Sequence, residues 1–456
     1  MAAEQDLGVQ NGNSGLSTPS TPLSSVARRA MFGIAWNVLG SVVAQGGSFL
    51  SWVVLARVLG KQTFGQFAMV QSTVIALTGM ASLGLGITAT KYVSQYRNTQ
   101  PDRAGRILGI SSSIALLAGS CFSLLLVGLA PTLATDEALV PSLRLGAFYV
   151  FFITLNGYQL GALIGMEAFG KIARVNLISG PAAVIVTWAL ASWFGLSGGV
   201  LAQGLTTFLV WLLYQMALKQ EGCRANITVR RRGAWQERSA LIQFSMPAVV
   251  SGITGSAAIW WCNKLLVTNA GYAELAVFSA ASNLRLMVLF LPGVAARVVS
   301  PILNNLLANG ETRTYRRAFW CAVAGNGAVG LCLAAIIFFA GRRLLHLFGK
   351  DFTGSSALLL LLLSSAVVEI VATNLYQAIF TRASLWWQVG IGSIWAAVLI
   401  LVSELVLTRH GAAGLALSYL VAWCPAALLY GALATILQGN LGHERKSVLQ
   451  HCDSRV

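Results

Sequence analysis

Arg285 is a single cation near the middle of an apolar stretch, AVFSAASNLRLMVLFLPGVAA at 276–296. A guanidinium group in an apolar medium is costly unless it faces protein or water. Because its planar donors match phosphate and carboxylate oxygens, Arg285 could bind an anionic phosphate or carboxylate group of a ligand. It could also pair with a buried carboxylate such as Glu369, which lies inside another apolar segment. The sequence leaves both roles open.

Three further cations lie near the ends of apolar segments. Arg57, Lys91 and Lys264 are candidates to line a positively charged cavity with the central arginine, or their long side chains reach the membrane surface. Glu369 is the candidate for coupling to an ion or a proton. Four amide side chains in apolar segments could hydrogen-bond sugars or join one helix to another. They are Asn37, Gln45, Asn156 and Asn374.

The sequence lacks the patterns of the common catalytic and metal sites. It contains no Walker-type phosphate loop, no clustered His, Cys and Asp ligands and no Ser/His/Asp arrangement. The seven cysteines show no CxxC spacing, so we interpret them as small apolar residues. We therefore expect no enzyme activity, no metal and no cofactor, and any transport must draw on an ion gradient or on later use of the cargo.

The composition predicts an all-α membrane protein that crosses the bilayer many times. Of 456 residues, 56% are hydrophobic and 10% are charged, against about 25% charged in soluble domains. The apolar residues form blocks of roughly 20–25, the length that crosses a bilayer as a helix. The twelve predicted spans are 31–56, 66–91, 107–130, 143–167, 174–194, 198–218, 241–263, 273–296, 319–340, 356–380, 385–407 and 413–437.

The net charge is +16, but the Lys and Arg residues lie mostly between apolar blocks. Their distribution therefore predicts membrane topology and does not indicate nucleic-acid binding. With the N-terminus in the cytoplasm, 22 of the 31 Lys and Arg residues lie inside and eight outside. The excess of cations on one side predicts that both termini of a multi-pass membrane protein lie in the cytoplasm.

The predicted chain has two halves joined by a basic linker. Six spans lie in an N-terminal lobe and six in a C-terminal lobe, with polar cytoplasmic tails at both ends. The N-terminal tail lacks the apolar core of a signal peptide, and we expect it to be disordered. In chain order the parts are 1–27 (tail), 28–218 (N-lobe), 219–240 (linker), 241–438 (C-lobe) and 439–456 (tail).

The two halves carry related segments. Gly60 aligns with Gly271 at an offset of 211 residues, and Gly195 aligns with Gly411 at an offset of 216. An even number of spans in each half makes both halves enter the membrane in the same direction. We therefore expect a pseudo-twofold axis along the membrane normal and a cavity between the lobes, which is a transporter architecture.

Three motifs, LARVLGKQTFGQFA, GMASLGLGITATKYVSQYR and GYAELAVFSAASNL, resemble the polysaccharide-transporter (Wzx-type) flippases. These belong to the multidrug/oligosaccharidyl-lipid/polysaccharide exporter superfamily. The resemblance covers about 31–437. It implies two six-helix lobes arranged as a V, alternating access, and a polyprenyl-pyrophosphate-linked oligosaccharide as cargo across the bacterial inner membrane. It also implies membrane lipids, a polysaccharide polymerase and a chain-length regulator as partners.

Three other functions compete with this interpretation. A drug/cation antiporter of the same superfamily favours acidic residues in its cavity, but the first span contains none. A flippase for a peptidoglycan precursor resembles the superfamily but has fourteen helices, whereas twelve are predicted here. A membrane glycosyltransferase or polymerase needs catalytic carboxylates and large outer loops, and the predicted outer loops are short.

Overall fold

The computed structural model describes residues 23–229, 238–352, 356–380 and 386–453. Residues 1–22 of the predicted tail and 230–237 of the predicted linker lie outside these ranges. The described chain is almost entirely α-helical and contains no β-strand. Its α-helices are α1 (Leu23–Ala81), α2 (Leu85–Tyr96), α3 (Pro101–Leu133), α4 (Val140–Gly165), α5 (Phe169–Arg224), α6 (Arg238–Ala270), α7 (Tyr272–Ala308), α8 (Thr312–Phe348), α9 (Ser356–Phe380) and α10 (Trp386–Asp453).

Eight stretches of helix in the described chain are long and apolar enough to cross a membrane, judged by length and composition. The shortest has 21 residues and the longest 56, and a bilayer crossing needs about 20. Large apolar side chains point away from the protein, such as Phe339, which is 85% exposed, and Trp193, which is 78% exposed. Lipid is the solvent in which such a surface is stable, and the prediction of a multi-pass helical membrane protein is confirmed.

Four glycines form sharp turns between helical segments. Gly60 lies inside α1 with φ 75° and ψ 169°, and Gly271 precedes α7 with φ 83° and ψ 172°. Gly195 inside α5 and Gly411 inside α10 have φ 56° and 51°, and both have ψ −130°. Only glycine adopts these angles readily, because a Cβ atom clashes at positive φ. Each pair that the sequence aligns therefore has the same backbone conformation.

The second predicted span, 66–91, is interrupted in the structure. α1 ends at Ala81 and α2 begins at Leu85, because Leu83 and Gly84 take left-handed conformations with φ 45° and 63°. The Leu85 N–H donates to the Ser82 carbonyl at 3.0 Å, which closes the turn. Hydropathy did not indicate this break, since the segment stays apolar across it.

The last helix is longer than the sequence predicts. α10 continues to Asp453, whereas the final span was expected to end at 437. The last residues include HERKSVLQ, which are mostly helix-compatible and lack proline, so the helix continues beyond the apolar block.

The helices pack mainly within two groups. In the N-terminal half (α1–α5), α1 packs against α5 and α4. In the C-terminal half (α6–α10), α10 packs against α9 and α6, and α7 packs against α8 and α9. The main contact between the halves is made by α1 with α6 and α7. This interface positions the candidate site.

Candidate functional site

A polar cavity of about 530 Å³ lies between the two halves. Residues of α1, α4 and α5 line it from one half, and residues of α6, α7 and α10 from the other. Its volume is within the range of about 300–1,000 Å³ found for small-molecule sites. Five serines and four aromatic rings contribute to its wall, together with five amides. These amides are Gln45, Gln71, Gln203, Asn263 and Asn283.

Arg285 is the only charged side chain among the described residues that line this cavity. The residue is 9% exposed. Its Nε donates to Ser365 Oγ at 3.2 Å, and its Nη2 donates to the Glu369 carboxylate. The guanidinium carbon lies 5.3 Å from the centre of the Tyr419 ring, within cation–π range. Arg285 therefore lines the cavity and also pairs with Glu369, an arrangement compatible with either of the roles that the sequence left open.

Glu369 lies behind Arg285 as seen from the cavity. It is on α9, one turn after Ser365, so both acceptors approach the same edge of the guanidinium. Its side chain is 19% exposed. A buried carboxylate with an arginine partner is compatible with its predicted role in coupling, which stays a prediction.

The predicted sugar-contacting amides fall into two groups in the structure. Gln45 lines the cavity. Asn156 Nδ2 donates to the Thr207 carbonyl at 3.0 Å and joins α4 to α5, while Asn374 Oδ1 accepts from Asn326 Nδ2 at 2.7 Å and joins α9 to α8. The side chain of Asn37 lies outside the described part of the chain. Asn156 and Asn374 thus follow the helix-joining alternative.

Lys264 and Lys91 are not among the described residues that line the cavity. The Nζ of Lys264 lies 5.3 Å from the centre of the Trp260 ring on the same helix. Lys91 lies on α2 and is exposed, with its Nζ 5.4 Å from the centre of the Tyr92 ring. The shared basic cavity expected from four cations is therefore reduced to one arginine. Sequence position gives the depth of a cation in the membrane but not the direction in which its side chain points.

The halves are joined beside the cavity by polar contacts that sequence reasoning missed. Asn263 Nδ2 donates to Ser72 Oγ at 2.9 Å, and Trp260 Nε1 donates to Thr73 Oγ1 at 3.0 Å. Ser256, one turn before Trp260, donates to the Ala76 carbonyl at 3.4 Å. Polar residues at three- and four-residue spacing on α6 were the signal that could have revealed this face.

Arg57 lies in a second pocket, of about 460 Å³, where α1 meets α8. Its Nε donates to the Leu347 carbonyl at 2.6 Å and its Nη2 to the His346 carbonyl at 3.4 Å. Both carbonyls belong to the last turn of α8, where the helix dipole is negative. Arg57 from one half therefore caps a helix of the other half, and the structure does not bring it to the Arg285 cavity.

Aromatic rings from both halves pack beside Arg57. Phe64 lies 6.3 Å from Phe348 and 5.5 Å from Phe352 between ring centroids, and Phe49 lies 5.6 Å from Phe348. Phe64 lies four residues after the Gly60 turn and Phe348 is the last residue of α8, so these rings lie where that turn meets the end of α8. We call this region, where α1 and α7 approach closely beside the end of α8, the closed end.

We expect Arg57→Gln to loosen the closed end. The substitution removes a cation from the α8 terminus, an interaction of about 1 kcal/mol, which corresponds to roughly a fivefold change in population. Spin labels on cysteines introduced at positions 62 and 351, in a chain without native cysteines, should then show a larger fraction of long distances. Arg343→Gln, which removes an exposed cation from the same helix end, is the matched control. Unchanged distances for Arg57→Gln would contradict the capping role.

The chain is similar in sequence to proteins of polysaccharide synthesis and export. The model of the family described as polysaccharide biosynthesis protein matches residues 31–307. The chain is 23% identical over 416 residues to the EPS I polysaccharide export inner membrane protein EpsE of Ralstonia solanacearum, covering 89% of this chain and 93% of that protein. It is 23% identical over 402 residues to the Lipid III flippase of Escherichia coli (strain K12), covering 85% and 94%.

The fold is similar to that of a solved transporter. The inward-facing conformation of a multidrug resistance MATE family transporter of the MOP superfamily aligns with a TM-score of 0.72 and 14% identity, covering 89% of this chain and 99% of the other. At this identity the likeness establishes the fold alone. The family match covers more than half of the chain and confirms the resemblance carried by the three motifs. The chain belongs to the polysaccharide biosynthesis protein family, as a polysaccharide transporter of the multidrug/oligosaccharidyl-lipid/polysaccharide exporter superfamily.

Proposed function

We propose that this protein is a flippase that carries a polyprenyl-pyrophosphate-linked oligosaccharide across the bacterial inner membrane by alternating access. The observation that carries the proposal is the cavity between the halves, with its amides, hydroxyls and aromatic rings and one arginine. Amides and hydroxyls exchange hydrogen bonds with sugar hydroxyls, and a guanidinium binds phosphate oxygens. The apolar outer surface of the helices suits the lipid tail of such a cargo.

The named relatives support this cargo class. One is a polysaccharide export protein of the inner membrane and another is a Lipid III flippase, and both match along most of their length. We infer the same location and the same kind of substrate here. Membrane lipids are the surrounding solvent, and a polysaccharide polymerase and a chain-length regulator are the expected protein partners.

We also propose twelve spans in two lobes. The glycine turns divide α1, α5 and α10 into two segments each, and α2 continues the second segment of α1. Counted in this way, the ten described helices give twelve spans. The matched angles of the paired glycines support an internal repeat, with lobes at 28–218 and 241–438. The cation distribution supports cytoplasmic termini.

In this orientation the closed end faces the periplasm, and we propose that the cavity opens toward the cytoplasm. Gly60 and Gly271 follow spans that leave the cytoplasm, so the contacts beside them lie on the outer side. The cargo would enter from inside, and the contacts at the closed end would break to release it outside. This is the alternating-access cycle expected from the repeat architecture.

The chemistry of the cavity disfavours one of the two alternatives. A cation antiporter of the same superfamily would bind positive cargo, and the one charged side chain among the described lining residues is itself positive. A flippase for a peptidoglycan lipid carries a similar anionic headgroup, so the cavity does not distinguish it from the leading proposal. The nature of the glycan decides between those two.

The test uses purified protein in liposomes that contain a labelled polyprenyl-pyrophosphate oligosaccharide. The protein is expected to accelerate the exposure of the sugar to a reagent outside the vesicle. Phe339→Leu, at a highly exposed site far from the cavity wall, is the positive control, and protein-free vesicles give the background. No acceleration above that background contradicts the proposal, and faster movement of a peptidoglycan lipid favours the alternative.

A further inference from the structure

The guanidinium of Arg285 is bound along one edge within the C-terminal half, and the residue also lines the cavity. Ser365 and Glu369 accept from Nε and Nη2, and the described residues provide no partner for Nη1. Arg285 lines the cavity, whereas Glu369 is not among the described lining residues. An anion that enters the cavity therefore meets the positive charge of Arg285 together with the negative charge of Glu369.

The orientation of Arg285 does not depend on Glu369 alone. Ser365 holds Nε at 3.2 Å, and the Tyr419 ring lies 5.3 Å from the guanidinium carbon. These two contacts are neutral, and they would keep the guanidinium in place if the carboxylate moved. The distinct contribution of Glu369 is thus its charge, which offsets that of the arginine.

We propose that Glu369 competes with the anionic headgroup of the cargo for Arg285. This inference rests on the proposed function. A phosphate oxygen and a carboxylate oxygen accept the same kind of charge-assisted hydrogen bond from a guanidinium. The headgroup binds Arg285 in exchange for Glu369, and Glu369 restores the pair when the cargo leaves. Arg285 has an anionic partner in both states, so the membrane never contains an unpaired arginine.

The exchange serves release as well as binding. A buried arginine with no competitor would hold a pyrophosphate strongly, and cargo would leave slowly. A carboxylate that rebinds the arginine favours departure of the headgroup. The Glu369 side chain is 19% exposed while it is paired, so it is not fully enclosed by protein.

The first test is the affinity of the full-length protein in detergent for farnesyl pyrophosphate, measured by calorimetry. Glu369→Gln keeps the shape and an oxygen acceptor but removes the competing charge, so we expect about tenfold tighter binding. Arg285→Gln should weaken binding by about tenfold or more. The double variant should bind much more weakly than Glu369→Gln, because Arg285, for which Glu369 and the headgroup compete, is absent.

Two further variants separate competition from a structural role. Glu369→Asp keeps the charge, so its affinity for farnesyl pyrophosphate should lie within about threefold of that of the unmodified protein. Glu404→Gln is the matched control, because it removes one carboxylate from an exposed site of the same half. Glu369→Gln should transport more slowly although it binds more tightly. A merely structural pair would instead lower the affinity, the transport rate and the thermal stability together.

Two results would contradict the inference. One is that Glu369→Gln binds farnesyl pyrophosphate no more tightly than the unmodified protein, and the other is that the double variant binds it as tightly as Glu369→Gln. If Glu369→Gln does not fold, infrared difference spectra of the unmodified protein must show a changed carboxylate band on binding farnesyl pyrophosphate, and an unchanged band counts equally against the exchange. If the variants show the expected affinities but the protein does not transport the lipid-linked oligosaccharide, competition for Arg285 is supported and the proposed cargo is wrong. If the protein transports the lipid but the variants do not show these affinities, only the proposed competition is wrong.

Discussion

Arg285→Ala is expected to lower export by at least tenfold while the protein still reaches the membrane in normal amounts. The substitution removes the one described cation of the cavity wall, and with it the charge-assisted hydrogen bonds to a headgroup phosphate. A tenfold loss corresponds to about 1.4 kcal/mol, which is modest for a hydrogen bond to a charged group. Transport of labelled lipid-linked oligosaccharide in vesicles measures the effect.

The same substitution leaves the partly buried Glu369 without its partner, so the thermal stability of Arg285→Ala should be lower than that of the unmodified protein. The double variant Arg285→Ala/Glu369→Gln removes both charges and should recover thermal stability without recovering transport. This variant separates loss of function from loss of folding. Normal export by Arg285→Ala would show that Arg285 is not needed to bind the headgroup of the cargo. If a water-soluble thiol reagent does not label Arg285→Cys, position 285 does not face a water-filled cavity.

Gly65→Ala is expected to prevent closure of the closed end and to reduce transport by at least tenfold. A Cβ atom at position 65 would lie 1.9 Å from the Tyr272 carbonyl oxygen, whereas ordinary contacts begin at 3.4 Å. The obstacle is backbone, so α1 and α7 would have to separate by about 1.5 Å at their closest approach. A transporter that cannot close at this end cannot return to the state that accepts cargo from the other side.

Gly46→Ala is the matched control for this prediction. Gly46 lies on the same helix, and a Cβ atom there would meet no atom within 4 Å. The control should transport normally. The spin-label distance between positions 62 and 351 should lengthen in Gly65→Ala and not in Gly46→Ala. Equal transport by the two variants would show that the α1–α7 approach is not needed in the cycle.

The sequence predicted the features that depend on hydropathy and on the repeat. Blocks of apolar residues indicated membrane helices, and alignment of the halves indicated Gly60 with Gly271 and Gly195 with Gly411, which have matching backbone angles. The pairing of Arg285 was left open, because sequence gives the depth of a charge in the bilayer but not its neighbours. To identify the partner of Arg285, one must know in which direction each side chain points around its helix axis.

Other features were beyond the sequence for the same reason. Arg57 was a candidate for the central cavity, yet its contacts with the α8 carbonyls depend on where an element almost 300 residues later ends. The break at Leu83 was not indicated, since a left-handed non-glycine residue has no strong sequence signal. The Asn263–Ser72 contact required the packing of α6 against α1.

The closed end has a consequence for how the membrane voltage acts on the transporter. In the proposed orientation, water in the cavity would bring the electrical potential of the cytoplasm toward Arg285, and much of the voltage would drop across the layer of the closed end that contains Phe64, Phe348 and Phe352. Moving one charge through that layer changes the energy by about 2.3 kcal/mol per 100 mV. Headgroup binding from inside should thus be almost independent of voltage, and the passage of its charge to the outside should be the voltage-dependent step.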